Sequence, residues 1–252
     1  MTSQTQASGS GGPRRVAILG TRYLDFSIEE EQLSSLDVEI VSGDGGSPEA
    51  IQEVAGAAEV ILAGSRPRFN ANVLAALSCR GIVRYGVGTD SVDLEAARRR
   101  GISVARVSDY GTEAVAFHAV SMAVAQLRRL VEVDRAVRSG SWGFAELRPL
   151  HEPSGLSAGV VGYGRIGRQS ARYLRGLGMR VCAYDAYVDV PPDDRVEAMD
   201  LGALLAVSDV VLLHAPGSPD GSPLIDAGAL EKRERWRRCA PAACWSTPRA
   251  GR

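Results

Sequence analysis

The sequence predicts an α/β protein made of two bodies with parallel sheets, joined through one long helix. Three observations carry that reading. Short runs rich in Val and Ile alternate with helix-like segments over residues 14–107, and the same rhythm restarts at residue 157. Between them, residues 112–139 read as one helical stretch with no strand signal. At 252 residues, the chain has room for one large domain or two of ordinary size.

Taken in order, "RRVAILG" (14–20) is a strand, followed by a polar stretch holding Ile28, Leu33 and Leu36. "VEIVSG" (38–43) is the next strand, closed by the turn cluster "GDGGSP", in which Pro48 is placed to open a helix. "AEVILAG" (58–64) is a third strand, "NANVLAAL" a short helix and "GIVRYG" (81–86) a fourth strand. "SVDLEAARRRG" reads as a helix stopped by Gly101, and "ISVARV" (102–107) as a fifth strand. Apolar β-branched runs that alternate with helices imply a parallel sheet covered on both faces. Thr112 is expected to cap the long helix and Gly140 to stop it. The first half of that helix, to Ala125, is nearly all apolar and suits burial between two bodies. "WGFAELRPLHEPSG" (142–155) reads as a linker. Beyond it come the strand "SAGVVGYG", a helix from Arg165 to Leu177, the strand "RVCAYD", a short helix near 200–206 and the strand "SDVVLLHAP".

A net charge of −1 with 23% charged residues points to neither a nucleic-acid partner nor a membrane surface. No apolar run reaches the roughly 18 residues of a membrane span. The start, "MTSQTQASGSGGPRR", lacks the apolar core of a secretion signal, so residues 1–13 are expected to be a flexible tail and the protein cytoplasmic. The four cysteines show no metal-ligand spacing, and Cys79 and Cys182 read as buried free thiols; no metal site is expected.

"VVGYGRIG" places Gly162, Gly164 and Gly167 in the spacing G-x-G-x-x-G. That spacing alone is weak, because an ordinary glycine turn produces it too. The context is more specific: an apolar strand precedes it, an amphipathic helix follows, and the next strand ends in Asp185, 18 residues after Gly167. Dinucleotide binding needs this layout. Gly162 lets the chain turn sharply, Gly164 lets backbone N–H groups approach a diphosphate, and Gly167 lets helix pack on strand. The helix N-terminus offers the partial positive charge that a diphosphate wants. Asp185 is able to accept two hydrogen bonds from the adenosine ribose and to repel a 2′-phosphate, which favours NAD over NADP.

With these residues in view, the sequence resembles the D-isomer-specific 2-hydroxyacid dehydrogenases, which include phosphoglycerate dehydrogenase-like enzymes. Four blocks in the family's order carry the resemblance: "RYGVGTDSVDLEAARRRGISV" (84–104), "VSDYGTEAVAFHAVSMAVAQLRRL" (107–130), "VVGYGRIGRQSARYLRGLGMRVCAYD" (160–185) and "SDVVLLHAPGSPDGSPLID" (208–226). The resemblance implies a flavodoxin-like substrate domain at 14–111. It implies an interdomain helix with an incomplete Rossmann NAD-binding domain at 112–230. It also implies hydride transfer between NAD and a small 2-hydroxy or 2-keto acid, in a family that forms homodimers. By the same resemblance, backbone N–H groups around Val87 and Gly88 hold the substrate carboxylate and Thr112 contacts the nicotinamide half of NAD. Arg165 and Ile166 belong to the diphosphate loop, while His214, Ala215 and Pro216 pass over the cofactor. His214 therefore lines the cofactor and is not the base. His118, in the apolar helix, reads as a core or interface residue, and His151 in the linker carries no signal. Phe117 departs from the pattern, since the family commonly has glutamate there.

The family continues into a strand reading V-N-T-x-R-G, whose arginine fixes the substrate, and later supplies a glutamate and a histidine for proton transfer. None of that set is present in frame in "EKRERWRRCAPAACWSTPRAGR" (231–252), so no catalytic residue is assigned. Taking largely GC-rich codons for Cys239 to Ala250 and reading from the third base of each codon, the alternatives permitted by codon degeneracy include R-A-G-G-V-L-V-N-T-P-R-G, the missing strand in another frame. A solvated basic tail explains the charge of this segment but not that coincidence. The expectation is a dehydrogenase shifted out of frame between Leu230 and Cys239 and cut off before its catalytic residues. A non-catalytic NAD-binding regulator and an inert product of the same family stand as alternatives.

Overall fold

The computed structural model describes residues 13–143, 150–191, 195–218 and 221–231. The chain divides into two compact units, 1–110 and 111–252.

Unit 1 alternates strand and helix without exception: β1 (Arg14–Leu19), α1 (Ser27–Leu33), β2 (Val38–Gly43), α2 (Pro48–Ala55), β3 (Val60–Ala63), α3 (Ala71–Ala76), β4 (Gly81–Arg84), α4 (Leu94–Arg99) and β5 (Ser103–Arg106). The strands pair in parallel in the order β2-β1-β3-β4-β5, the flavodoxin-like arrangement. Local chemistry sets the helix starts. Ser47, Asn70 and Asp93 each accept a backbone N–H at the entrance of α2, α3 and α4, and Pro48 opens α2. Gly101, at φ +70°, ends the α4 segment where a left-handed turn is required. The core lies between the sheet and these three helices, with Leu19, Ile51, Ile61, Phe69, Leu74 and Ile82 fully or almost fully buried. α1, which falls in the stretch read from sequence only as polar, buries none of its residues.

Unit 2 holds α5 (Thr112–Leu127), α6 (Leu130–Arg138), a short 3-10 turn (Pro153–Gly155), β6 (Ser157–Val161), α7 (Arg165–Gly176), β7 (Arg180–Tyr184), β8 (Glu197–Ala198), α8 (Leu201–Val207), β9 (Val210–Leu213) and α9 (Ala227–Glu231). Its strands are parallel in the order β8-β7-β6-β9, which corresponds to 3-2-1-4 of a Rossmann sheet. Alternate residues of β6 serve opposite faces: Val160 packs with Val120, Leu174 and Val181, while Val161 packs with Leu204, Cys182 and Ile225. The buried apolar run of this strand follows from that two-sided burial.

The structure corrects three expectations. The single helix over 112–139 is two helices bent by 58°. The break falls at Arg129, whose backbone is left-handed at φ 51°, a conformation no helix interior accepts. α5 buries Ala116, Ala119, Val120 and Ala123, whereas α6 buries nothing, so no common buried face holds the two collinear. Thr112 is the first helical residue and not the cap; Gly111 occupies that position with no side-chain bond. Gly140, at φ 82°, does follow the end of α6. His118 is exposed rather than a core residue of this chain. The tail at 1–12, part of the linker (144–149) and the segment 232–252, with its reading-frame expectation, lie outside the described residues. Among the described residues, no single helix is long and apolar enough to cross a membrane, and no group of three His, Cys, Asp or Glu side chains is placed to hold a metal. Cys79 and Cys182 are free and buried, and burial pushes both thiols up.

Candidate functional site

In unit 2 the strand order reverses between β6 and β9, and the predicted residues 162–167 and 214–216 follow the ends of these two strands. β6 leads into Gly162 at φ 93°, a conformation costly for any residue with a Cβ. A Cβ at Gly162 would also stand 2.5 Å from the Ala215 nitrogen, so the loop after β9 crosses directly over this turn. A Cβ at Gly167 would collide with the Gly162 carbonyl oxygen, which explains why the first turn of α7 can press on the loop. Gly164 behaves differently. A Cβ there meets nothing within 4 Å, so it borders open space at the helix entrance. No side chain caps α7, so its first N–H groups are left to a ligand or solvent. Arg165 is exposed beside them and Ile166 half-buried.

The residue between the first two glycines is held from three sides. The Tyr163 N–H donates to Asp185 Oδ2 at 2.6 Å, and its carbonyl accepts from Arg168 Nε at 3.1 Å. The Arg168 guanidinium also lies 5.6 Å from the centre of the buried Tyr163 ring, a favourable cation–π placement. Asp185, directly after β7, accepts two further backbone bonds at Oδ1, from Tyr187 N at 2.8 Å and Val188 N at 3.1 Å. Three of its roughly four acceptor positions are therefore engaged. The expectation of two ribose bonds narrows to the one position left on Oδ2.

His214 follows β9, its N–H bonded to the Val161 carbonyl at 2.7 Å. Its Nε2 lies 2.9 Å from Oγ of Ser170, a fully buried residue of α7. Burial lowers the imidazole pKa to about 4, which keeps the ring neutral near pH 7. Ala215 is half-buried and Pro216 exposed. Thr112 stands at the start of α5, which packs against α7 and β9. Phe117, one turn further along, meets the Tyr173 ring of α7 edge-on at 6.1 Å, while the Tyr173 hydroxyl donates to Glu113 at 3.3 Å. The departure from glutamate thus replaces a polar side chain by an aromatic contact between two helices.

In unit 1, Val87 and Gly88 lie in the turn after β4. Two arginines from adjacent strands grip the turn by its carbonyls: Arg84 Nε donates to Gly88 O at 3.2 Å, and Arg106 Nη1 to Val87 O at 3.0 Å. Arg84 is buried and also donates to Ala63 O at 3.2 Å. Burial pulls its pKa down and Asp90 opposes that shift. No hydrogen bond among the described residues uses the Val87 or Gly88 N–H, so both donors remain for an anion. Nearby, the Tyr85 hydroxyl donates to Glu29 at 2.6 Å, and burial with that carboxylate raises its pKa.

Sequence reasoning missed Arg84, Arg106, Arg168 and Ser170. Arg168 carried a faint signal, one residue past the last glycine of the motif. Ser170 carried none, since its partner lies 44 residues away.

Comparison with known proteins bears on the family and the fold. The family described as D-isomer specific 2-hydroxyacid dehydrogenase, NAD binding domain, matches residues 120–235. Glycerate dehydrogenase of Methylorubrum extorquens is 32% identical over 228 residues, covering 88% of this chain and 70% of that protein. D-3-phosphoglycerate dehydrogenase of Archaeoglobus fulgidus is 34% identical over 209 residues, covering 82% of this chain but only 39% of the longer protein. The crystal structure of D-lactate dehydrogenase from Aquifex aeolicus, complexed with NAD and lactic acid, superposes with a TM-score of 0.76 at 25% identity. That match covers 86% of this chain and 65% of the solved one.

Proposed function

The chain belongs to the D-isomer specific 2-hydroxyacid dehydrogenase family, and on that premise we propose that it binds NAD in unit 2 for hydride exchange with a small 2-hydroxy or 2-keto acid. The crossing of two loops at the β6/β9 switch point, with the open entrance of α7 between Gly162 and Gly167, carries this reading. Bound NAD supplies the nicotinamide carbon that accepts or returns the hydride. The residues of the chain do the holding. The amides at Gly164, Arg165 and Ile166 receive the diphosphate. The free acceptor position of Asp185 takes a ribose hydroxyl, and its charge disfavours a 2′-phosphate. The loop His214–Ala215–Pro216 covers the cofactor, and Thr112 touches its nicotinamide half. The Val87 and Gly88 N–H groups take the substrate carboxylate. In oxidation, the hydride leaves C2 of the hydroxy acid and the hydroxyl proton passes to a base. No described residue is assigned that proton, since burial makes His214 a weak base, its Nε2 is bonded to Ser170 and it is allotted to the cofactor.

Quenching of NADH fluorescence tests the binding half of the proposal, and NADH oxidation with glyoxylate, hydroxypyruvate or 3-phosphoglycerate tests the chemical half. An NADH titration without saturation would overturn the reading.

The location proposed is the cytoplasm, and neither a nucleic-acid nor a membrane partner is proposed. A homodimer through α5 and α6 is part of the reading, supported by the exposure of Val115, Phe117, Leu130, Val131 and Val137. Sedimentation showing a monomer at micromolar concentration would remove it.

A further inference from the structure

The Ser170 hydroxyl is fully buried, and among the described residues its partner is Nε2 of His214, at 2.9 Å. A buried hydroxyl proton without an acceptor is costly, because its lost bond to water is not replaced. Serines in helices often avoid this by donating to the carbonyl four residues back, and Ser208, directly after α8, does so to Leu204 at 2.7 Å. Ser170 makes no such bond. Its proton is therefore satisfied only when it points at Nε2, and a nitrogen that accepts cannot also carry a hydrogen. The ring proton then sits on Nδ1. Were Nε2 the protonated nitrogen, the serine proton would be stranded in the core.

We propose that Ser170 is a positioning residue that fixes His214 as the Nδ1–H tautomer and so presents an N–H donor at the cofactor crevice. The inference rests on the reading of unit 2 as an NAD site and adds a residue to it. Geometry ties the pair to both cofactor loops. Ser170 lies on α7, whose entrance is the diphosphate loop, and His214 opens the loop that crosses Gly162. One hydrogen bond thus joins the helix beneath the diphosphate to the loop above it. It also gives the imidazole a donor in place of a lone pair, the correct sense toward an anionic or carbonyl-bearing ligand.

The test is nitrogen-15 NMR of the three histidine rings in the full chain, with His214→Gln to assign the signal, alongside NADH titration. The wild type is expected to show a protonated Nδ1 and an unprotonated Nε2 at His214. Ser170→Ala should mix the two tautomers and weaken NADH binding by about five- to tenfold, while Ser170→Thr should restore both readouts. A wild-type spectrum with hydrogen on Nε2 would overturn the proposal. So would a Ser170→Ala variant with unchanged tautomer and unchanged NADH affinity. A wild type that shows the Nδ1–H tautomer but fails to bind NADH supports the hydrogen bond while overturning its role toward the cofactor, together with the proposed function.

Discussion

At the scale of single residues, Asp185 does more than its place in the motif suggests. The strand–helix–strand spacing marks it as the ribose carboxylate, but nothing in the sequence announces that it also binds the N–H groups of Tyr163, Tyr187 and Val188. Those bonds depend on backbone geometry, which residue identity does not encode. Asp185→Ala should therefore cost both recognition and order. NADH affinity is expected to fall by tenfold or more, about 1.4 kcal/mol or above, and the preference for NADH over NADPH to shrink. An unchanged affinity ratio would rule out the ribose assignment. His214 makes a separate prediction. In an unfolded chain its pKa is about 6.5, and in the folded chain about 4. The unfolded state takes up the proton first as pH falls. The contribution is thus complete above about 6.5, shrinks below that value, and is lost by about 4, amounting to at most ~3 kcal/mol. Thermal melts from pH 7 to 4 should show this loss, and His214→Gln should flatten it.

At the scale of elements, the glycines of the loop separate folding from binding. Gly167→Ala forces a methyl group into the Gly162 carbonyl and should destabilise unit 2 by about 1–3 kcal/mol or more. Gly164→Ala places the same methyl in open space. Its melting temperature should stay within a few degrees while NADH binding weakens by about tenfold; equal behaviour of the two variants would contradict the loop assignment. Elements with strong patterns were readable in advance: the strands of unit 1, the start of α7 at Arg165 and the stop at Gly101 each follow from local chemistry. The break at Arg129 was not, because an arginine forced into a left-handed turn leaves no mark on the hydrophobic pattern. β8, two residues long, is too short to show any period. α1 lacks buried residues and hence the apolar stripe by which helices are recognised.

At the scale of the molecule, each unit carries one half of the proposed chemistry: carboxylate capture in unit 1 and cofactor capture in unit 2. The strand V-N-T-x-R-G, whose arginine fixes the substrate in the family, is expected in another frame of residues 239–250, with the glutamate and histidine for proton transfer following it. Two measurements decide that expectation. Sequencing of the gene across codons 231–252 is expected to reveal V-N-T-x-R-G in a shifted frame, and its absence from all frames would end the idea. In parallel, the 252-residue chain is expected to bind NADH yet oxidise it slowly with 2-keto acids, whereas a frame-restored chain should turn over readily. Fast turnover by the 252-residue chain would show that the chemistry needs no restored strand.

The grip on the Tyr163 peptide carries one further consequence. Asp185 reaches this peptide from the side where the ribose is proposed to bind, and Arg168 reaches it from the helix whose entrance faces the diphosphate. A fragment that orders either end therefore meets a loop already ordered for the other. Coupling of this kind is reciprocal: adenosine should tighten the binding of pyrophosphate, and pyrophosphate that of adenosine, by the same factor. Calorimetric titration of each fragment with and without the other would measure that factor. Arg168→Met should bring it close to one, so that the two halves of the dinucleotide bind as strangers.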